Sequence, residues 1–345
     1  MDGRLRVGII GAGTIARDVH IPNYLKQNVE IVAISDVIKA NAKALAESFD
    51  IEHVFTNYED MLEQSNLDAV SICTPNKFHA EATCAALSAG CHVLCEKPPA
   101  MNVEEAERMR QYAESAGKII MYGFCFRFSQ EIQTLKRFTD AGELGDIYAG
   151  RIHALRRRGI PGWGNFTNKE LQGGGPLIDI GVHMLDSALY LMGYPEPKTI
   201  LGTTYRKLGN RKGVGLFGDW DWENYSVEDM ARGMITFQNG ASLLLETAFA
   251  ANMKKHNDMS ISLMGDQGGA DVFPLEIYQE KHETLIDITP SYLPDTNMFE
   301  EEIARFVEGC LRDDLSISTG MQGLKLQKII NGLYRSAEED KAIYV

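Results

Sequence analysis

Three residues of this chain combine a suitable side chain with a suitable setting for moving protons and stabilising charge: Lys97, Asp179 and His183. Lys97 stands in Cys95-Glu96-Lys97-Pro98-Pro99, directly after a predicted strand. A carboxylate on one side and two prolines on the other constrain its backbone, and a cis Lys97–Pro98 bond is open to it. An ammonium fixed at a strand end can stabilise negative charge developing on a substrate oxygen; the plainer alternative is a surface lysine. Asp179 and His183 lie four apart in Gly173-Gly174-Gly175-Pro176-Leu177-Ile178-Asp179-Ile180-Gly181-Val182-His183. The glycines stop one element and Pro176 suits the first turn of a helix. Residues i and i+4 of a helix share a face, so a carboxylate there can tune an imidazole that titrates near neutrality. His183 is the best general acid/base available, against the common alternative of a core histidine in an apolar helix. Zinc is a rival use of this pair, but two ligands are not a site and no third stands at recognisable spacing. Cys91 and Cys95, flanking His92, also lack two further ligands. No metal is expected.

A second constellation could hold a dinucleotide. Gly11-Ala12-Gly13-Thr14-Ile15-Ala16 follows a predicted strand and opens a predicted helix. In such a fingerprint Gly11 permits the tight turn, Gly13 lets the backbone approach a pyrophosphate, and Ala16 allows close packing of helix on strand. The helix start at Thr14 and Ile15 offers free N–H groups to the anion. The next strand ends in Asp36, placed to accept hydrogen bonds from ribose hydroxyls and to repel a 2′-phosphate. This favours NAD, with NADP left possible by Lys39 three residues on; the alternative for Asp36 is capping of the following helix. Ligands of open α/β sheets bind outside the carboxyl ends of the strands. Thr74, Pro75 and Asn76, His79 just beyond them, and Glu96 with Lys97 are therefore expected to border the cofactor.

These residues need a scaffold of alternating strands and helices, and the first third supplies one. Strands are predicted at Leu5–Ile10, Glu30–Ser35, Ala69–Cys73, His92–Cys95 and Lys118–Tyr122. Helices are predicted at 14–26, 40–49, 58–64, 78–89 and 103–116, several closed by glycine. That alternation predicts a doubly wound parallel sheet. After a helix at 130–141, the pattern changes to strands at 147–155, 230–237, 241–249, 259–264, 275–278 and 284–288, joined by turns such as Gln238-Asn239-Gly240. This predicts an α+β domain with an open, mostly antiparallel sheet, with two late helices at 297–311 and 320–336. The expected division is a dinucleotide-binding domain over 1–123 and a second domain over 124–345.

Composition narrows the function class. At 345 residues, 44% hydrophobic and 24% charged, the chain suffices for two ordinary cores. A net charge of -14 repels phosphate backbones and anionic membranes, so no nucleic-acid or membrane partner is expected. No apolar run reaches the roughly 20 residues of a membrane span. The charged start runs into a strand without a signal-peptide pattern, which predicts a cytoplasmic protein with reduced, buried cysteines.

Taken together, VGIIGAGTIA, Asp36, CTPNKFH, the Cys-Glu-Lys-Pro motif, GFCFRFS and GGGPLIDIGVHMLD resemble the glucose–fructose oxidoreductase and inositol dehydrogenase (Gfo/Idh/MocA) family. The resemblance covers residues 5 to about 192. It implies a Rossmann domain followed by an open-faced sheet domain that makes oligomer contacts, as a homodimer or homotetramer. It also implies an NAD-dependent dehydrogenase of a sugar, glycoside or inositol hydroxyl, with catalytic roles for Lys97, Asp179 and His183 and a place for Arg127 at the substrate. Pro99 departs from the leucine or isoleucine of many relatives. So does the stretch 156–172, where Trp163 and Phe166 could form a sugar-stacking lid and Arg156 or Arg158 could bind substrate; junction packing for Trp163 and a solvated edge for the arginines are the alternatives. An NAD-dependent glycosidase working by transient oxidation and elimination, or a non-catalytic NAD sensor, would use the same fold.

Overall fold

Near-continuous apolar runs at the strand positions of the first third are those of strands buried on both faces, and that is what they form. The computed structural model describes residues 4–345; the first three residues of the charged start lie outside the described residues. Strands β1 (Leu5–Ile10), β2 (Val29–Ser35), β3 (His53–Phe55), β4 (Ala69–Ile72), β5 (His92–Cys95) and β6 (Ile120–Tyr122) make a parallel sheet in the order 3-2-1-4-5-6. This order reverses between β1 and β4, the switch point at which dinucleotides bind. Helices α1 (Ile21–Tyr24), α2 (Lys39–Phe49), α3 (Tyr58–Gln64), α4 (His79–Ser88) and α5 (Val103–Ala116) connect the strands. The helix predicted from residue 14 contains a π-helical turn at Ala16–His20 before α1.

The second sheet has nine strands. After α6 (Gln130–Asp140) come β7 (Ile147–Arg156), α7 (Lys169–Gln172) and α8 (Val182–Leu191). Then follow β8 (Pro197–Tyr205), β9 (Met230–Phe237), β10 (Ser242–Ala248), β11 (Asn257–Gly265), β12 (Gly268–Val272), β13 (Glu276–Lys281) and β14 (Thr284–Ile288). The last elements are α9 (Met298–Arg312), α10 (Gly320–Glu339) and β15 (Ile343–Tyr344). The sheet order is 14-13-12-11-7-10-9-8-15, parallel only between β7 and β10. Its strands alternate buried and exposed residues, so one face is covered by helices and the other is open. The open face carries exposed Leu201, Met234 and Leu244.

Four of these strands escape the sequence pattern: β3, β8, β12 and β15. In β8, Gly202 pairs with Gly233 of β9. A Cβ at Gly202 would meet the Leu333 backbone at 2.5 Å and one at Gly233 the Leu333 side chain at 2.2 Å. The two glycines are there to let α10 lie on the sheet, which weakens the local strand signal.

Contacts divide the chain into two units. The first runs to Cys125 and also contains Asn297–Leu324; the second is Phe126–Thr296 with Lys325–Val345. A continuous second domain from residue 124 was expected, so the departure is the return of 297–324 to the first unit. Its physical cause lies at the edge strand β6. Ile120 N–H donates to Ser318 Oγ at 3.3 Å, Tyr122 N–H to Thr319 Oγ1 at 3.0 Å, and Thr319 N–H to Ile120 O at 2.8 Å, which covers an edge that would otherwise be open. Within the same unit α9 packs on α1 and β1 and buries Ile303, Phe306 and Val307. All six cysteines are buried and unbridged. Among the described residues no helix is long and apolar enough to cross a membrane, and no group of three His, Cys, Asp or Glu side chains could hold a metal ion.

Candidate functional site

In the first unit the predicted cofactor residues gather at the carboxyl ends of β1, β2, β4 and β5. Gly11 has φ +99°, and a Cβ there would meet Cys73 O at 2.6 Å, so the turn requires glycine. A Cβ on Gly13 would meet no protein atom within 4 Å, which leaves the approach to the loop open for a ligand. The helical segment starts at Thr14, exposed, with Ile15 half-buried and Ala16 fully buried against the sheet. Asp36 Oδ2 accepts from Ala12 N–H and Oδ1 from Ile38 N–H, both at 2.8 Å. Asp36 is therefore held beside the glycine loop, and Ile38 rather than Asp36 is the N-cap of α2. Thr74 Oγ1 is buried without a hydrogen-bond partner among the described residues; Pro75 and Asn76 follow it into a 3₁₀ turn. An open glycine turn, a carboxylate at the end of β2 and an orphan hydroxyl at the end of β4 fit a dinucleotide.

Two histidines hold the loops that carry these groups. His79, fully buried, places Nε2 2.9 Å from Thr74 O and Nδ1 2.9 Å from Pro98 O, and so ties the β4 loop to the β5 loop. Burial pushes its imidazole below the ordinary range, against the pull of the two carbonyls. Its part at the cofactor end is therefore positional. His20, which the sequence did not single out, is also buried, with Nε2 2.9 Å from Glu96 Oε1 and Nδ1 3.1 Å from Ser71 Oγ; Tyr24 OH lies 2.7 Å from the same hydroxyl. Burial pulls His20 down, but the Cys73 sulfur and the Glu96 carboxylate carry it well above its ordinary value. Burial raises Glu96, and His20, Lys97 and His79 outweigh it, leaving its carboxyl below the usual value. Glu96 Oε2 accepts from Lys97 N–H at 3.2 Å. Half-buried Lys97 thus leaves a clamped loop, through a cis Lys97–Pro98 bond.

The second unit presents Asp179 and His183. The predicted helix forms, with its first turn, Leu177–Gly181, wound as a π-helix before α8, a feature frequent at functional sites. From Gly174 to Leu189 every residue is buried except Asp179 and His183, each half-exposed. The pair therefore forms a polar window in an otherwise buried element, and His183 is not a sealed core histidine. Phe126 packs on the His183 ring, centroids 5.0 Å apart, and edge-on against Phe273. The element is fixed from two sides by groups that lie far away in sequence. Glu228 accepts from Gly175 N–H at 2.9 Å and Leu177 N–H at 3.2 Å, and Tyr334 OH donates to it at 2.8 Å. A carboxylate at this end complements the helix dipole. Arg127 faces α8: Nε donates to Asp186 Oδ2 at 2.7 Å, Nη2 to Asp186 Oδ1 at 2.6 Å and to Tyr194 OH at 2.7 Å. Arg127 is 6% exposed, and its guanidinium lies over the Tyr190 and Tyr194 rings. Expected at the substrate, Arg127 is instead placed as a buried anchor of the helix that bears His183.

The two arginines proposed from the 156–172 stretch separate. Arg158 ties its loop to the segment after β10, with Nη1 donating to Ala251 O at 3.0 Å and Nη2 to Asn252 Oδ1 at 2.5 Å. Arg156, at the end of β7, lies over the Phe217 ring at 5.1 Å; burial lowers its pKa and the Asp179 carboxylate opposes that. Trp163 is exposed and its ring meets Phe217, while Phe166 is half-buried.

Comparison with known proteins adds to this geometry. Residues 5–124 match an oxidoreductase family with an NAD-binding Rossmann fold, and residues 132–271 match the GFO/IDH/MocA C-terminal domain. The chain is 44% identical to the D-glucoside 3-dehydrogenase of Escherichia coli (strain K12), over 97% of this chain and 95% of that protein. It is 33% identical to the glucose-6-phosphate 3-dehydrogenase of Bacillus subtilis (strain 168), over 54% of this chain and 53% of that one. A levoglucosan dehydrogenase solved with NADH shares the fold at a TM-score of 0.85 and 21% identity, over 99% of both chains.

Proposed function

The chain belongs to the GFO/IDH/MocA oxidoreductase family, as an NAD(P)-dependent dehydrogenase of sugar or polyol hydroxyls, and from that premise we propose that its substrate is a D-glucoside oxidised at the 3-hydroxyl to the ketone, or the reverse. The observation that supports this reading best is the half-exposed Asp179–His183 pair in an otherwise buried helix, in a chain so similar to a glucoside 3-dehydrogenase.

When bound, NAD would supply the acceptor for the hydride that leaves the carbinol carbon. His183 takes the hydroxyl proton as general base. Lys97 donates a hydrogen bond to the same oxygen and stabilises its developing charge, so the reaction calls for no metal. Asp179 orients the substrate or the imidazole. Glu96, clamped by His20, positions Lys97; Arg127 and Glu228 position the helix of His183. Gly11, Gly13, Thr14 and Ile15 would hold the pyrophosphate, Asp36 the adenosine ribose, and Thr74, Pro75 and Asn76 would border the cofactor. The carboxylate of Asp36 favours NAD over NADP. The open face of the nine-stranded sheet joins subunits in a homodimer or homotetramer, which light scattering of the purified protein tests.

The experiment that tests the function follows reduced nicotinamide with purified protein, NAD or NADP, and a panel of methyl glucosides, free aldoses and inositols, the product carbonyl being located by NMR. A 3-ketoglucoside formed with NAD is the expected result. Turnover of inositols alone would overturn the glucoside assignment, and release of the aglycone without net reduction would point to a redox-neutral glycosidase.

A further inference from the structure

We propose that Trp163 and Phe217, together with the Arg156 guanidinium, form a subsite for the aglycone, taking an alkyl or aryl group attached to the sugar; this rests on the glucoside reading above. The two loops that carry the aromatic pair are tied together. Leu216 N–H donates to Arg158 O at 2.8 Å, and both Ser226 N–H and Ser226 Oγ donate to Thr167 O at 3.1 Å. In the loop that carries Phe217, Trp220 is buried, with Nε1 donating to Gly209 O at 2.7 Å. On this tied base Trp163 remains 53% exposed and Phe217 41% exposed, their ring centroids 5.9 Å apart and inclined at 43°. Rigid aromatic faces shown to water in this way are surfaces for another ring or alkyl chain, which stacks at a similar spacing.

Arg156 links the platform to the reacting end. It is the last residue of β7, a strand that packs against the Leu177–Gly181 turn bearing Asp179, and its guanidinium lies 5.1 Å from the Phe217 ring centroid. A substrate whose hydroxyl is at Asp179 and His183 therefore has on one flank a cation suited to sugar oxygens and, beyond it, an apolar platform. A glucoside has this polarity, with hydroxyls on the ring and an apolar group on the anomeric oxygen; a free aldose or an inositol has nothing to place on the platform.

The test compares kcat/KM for phenyl and methyl β-D-glucoside within each of three proteins: wild type, Trp163→Leu and Phe217→Leu. Because the ratio is taken within one preparation, partial loss of folded protein cancels. Stacking of one ring predicts a phenyl preference of roughly tenfold in the wild type, falling to within about twofold of unity in each variant. A phenyl preference that survives both substitutions, or no preference in the wild type, overturns the subsite. If the wild type oxidises neither glucoside, the glucoside reading fails on its own. Calorimetric binding of phenyl β-D-glucoside to wild type and Phe217→Leu then decides the platform: binding lost in the variant retains it, and equal or absent binding overturns it.

Discussion

At the scale of single residues, the proposed mechanism gives Lys97 and His183 different tasks, a fixed positive charge and a proton acceptor, and neither replaces the other. Removing a preorganised donor to a developing oxyanion costs about a hundred- to a thousandfold in rate. Lys97→Ala is therefore expected to lower kcat by that much in the glucoside assay; turnover within a few-fold of wild type would remove Lys97 from the chemistry. The role proposed for Asp36 is electrostatic. Its carboxylate is held beside the glycine loop by the N–H groups of Ala12 and Ile38, a position from which it would disfavour a 2′-phosphate. Asp36→Ser is expected to raise the NADP-to-NAD ratio of kcat/KM by about tenfold or more, with Lys39 left in place to assist. An unchanged ratio would show that cofactor choice is made elsewhere.

At the scale of elements, the helix carrying Asp179 and His183 depends on anchors that contribute no chemistry. The Arg127–Asp186 pair is buried, with Tyr194 bonded to both partners. Removing one member of such a pair leaves an uncompensated charge and costs about 3–5 kcal/mol. Arg127→Met is expected to lose that much in denaturant unfolding. Asp186→Leu added to it should recover part of the loss, because no isolated charge then remains. Equal stability of wild type and Arg127→Met would show that the pair is solvated and does not fix α8. Glu228 acts at the other end of the same element, where its carboxylate accepts from Gly175 and Leu177 N–H groups. Glu228→Ala leaves both donors buried without an acceptor and should cost about 1–3 kcal/mol or more. The same unfolding measurement checks it.

At the scale of the whole molecule, the buried His20–Glu96 pair makes stability depend on pH. His20 is raised well above 6.5 in the folded chain, so its contribution is complete below that value and is lost as pH rises through the folded pKa. Glu96 is lowered from 4.5, so its contribution is present above that value and is lost as pH falls through the folded pKa. Thermal unfolding across about pH 4 to 9 should show the greatest advantage of wild type over His20→Gln between 4.5 and 6.5. A difference that does not change with pH would mean that the pair is held neutral. The periodicity of short segments made much legible without a structure. The strand Leu5–Ile10, the helix Val103–Ala116, the glycine turn followed by Asp36, and the i, i+4 spacing of Asp179 and His183 all depend on near neighbours in the chain, and neighbours are what a sequence displays. What the sequence does not display are pairings between distant segments: His20 with Glu96, Glu228 with the turn before Asp179, Arg127 with Asp186, Ser318 and Thr319 with the edge of β6, and the paired glycines of β8 and β9 beneath Leu333. None of these has a local pattern, because each bond exists only when packing brings together groups that are many residues apart. By itself the sequence determined the two architectures and offered the candidate reacting groups; the tertiary structure alone decided which buried charges hold those candidates in place, since the desolvation that makes such pairs matter arises only once the core has closed around them.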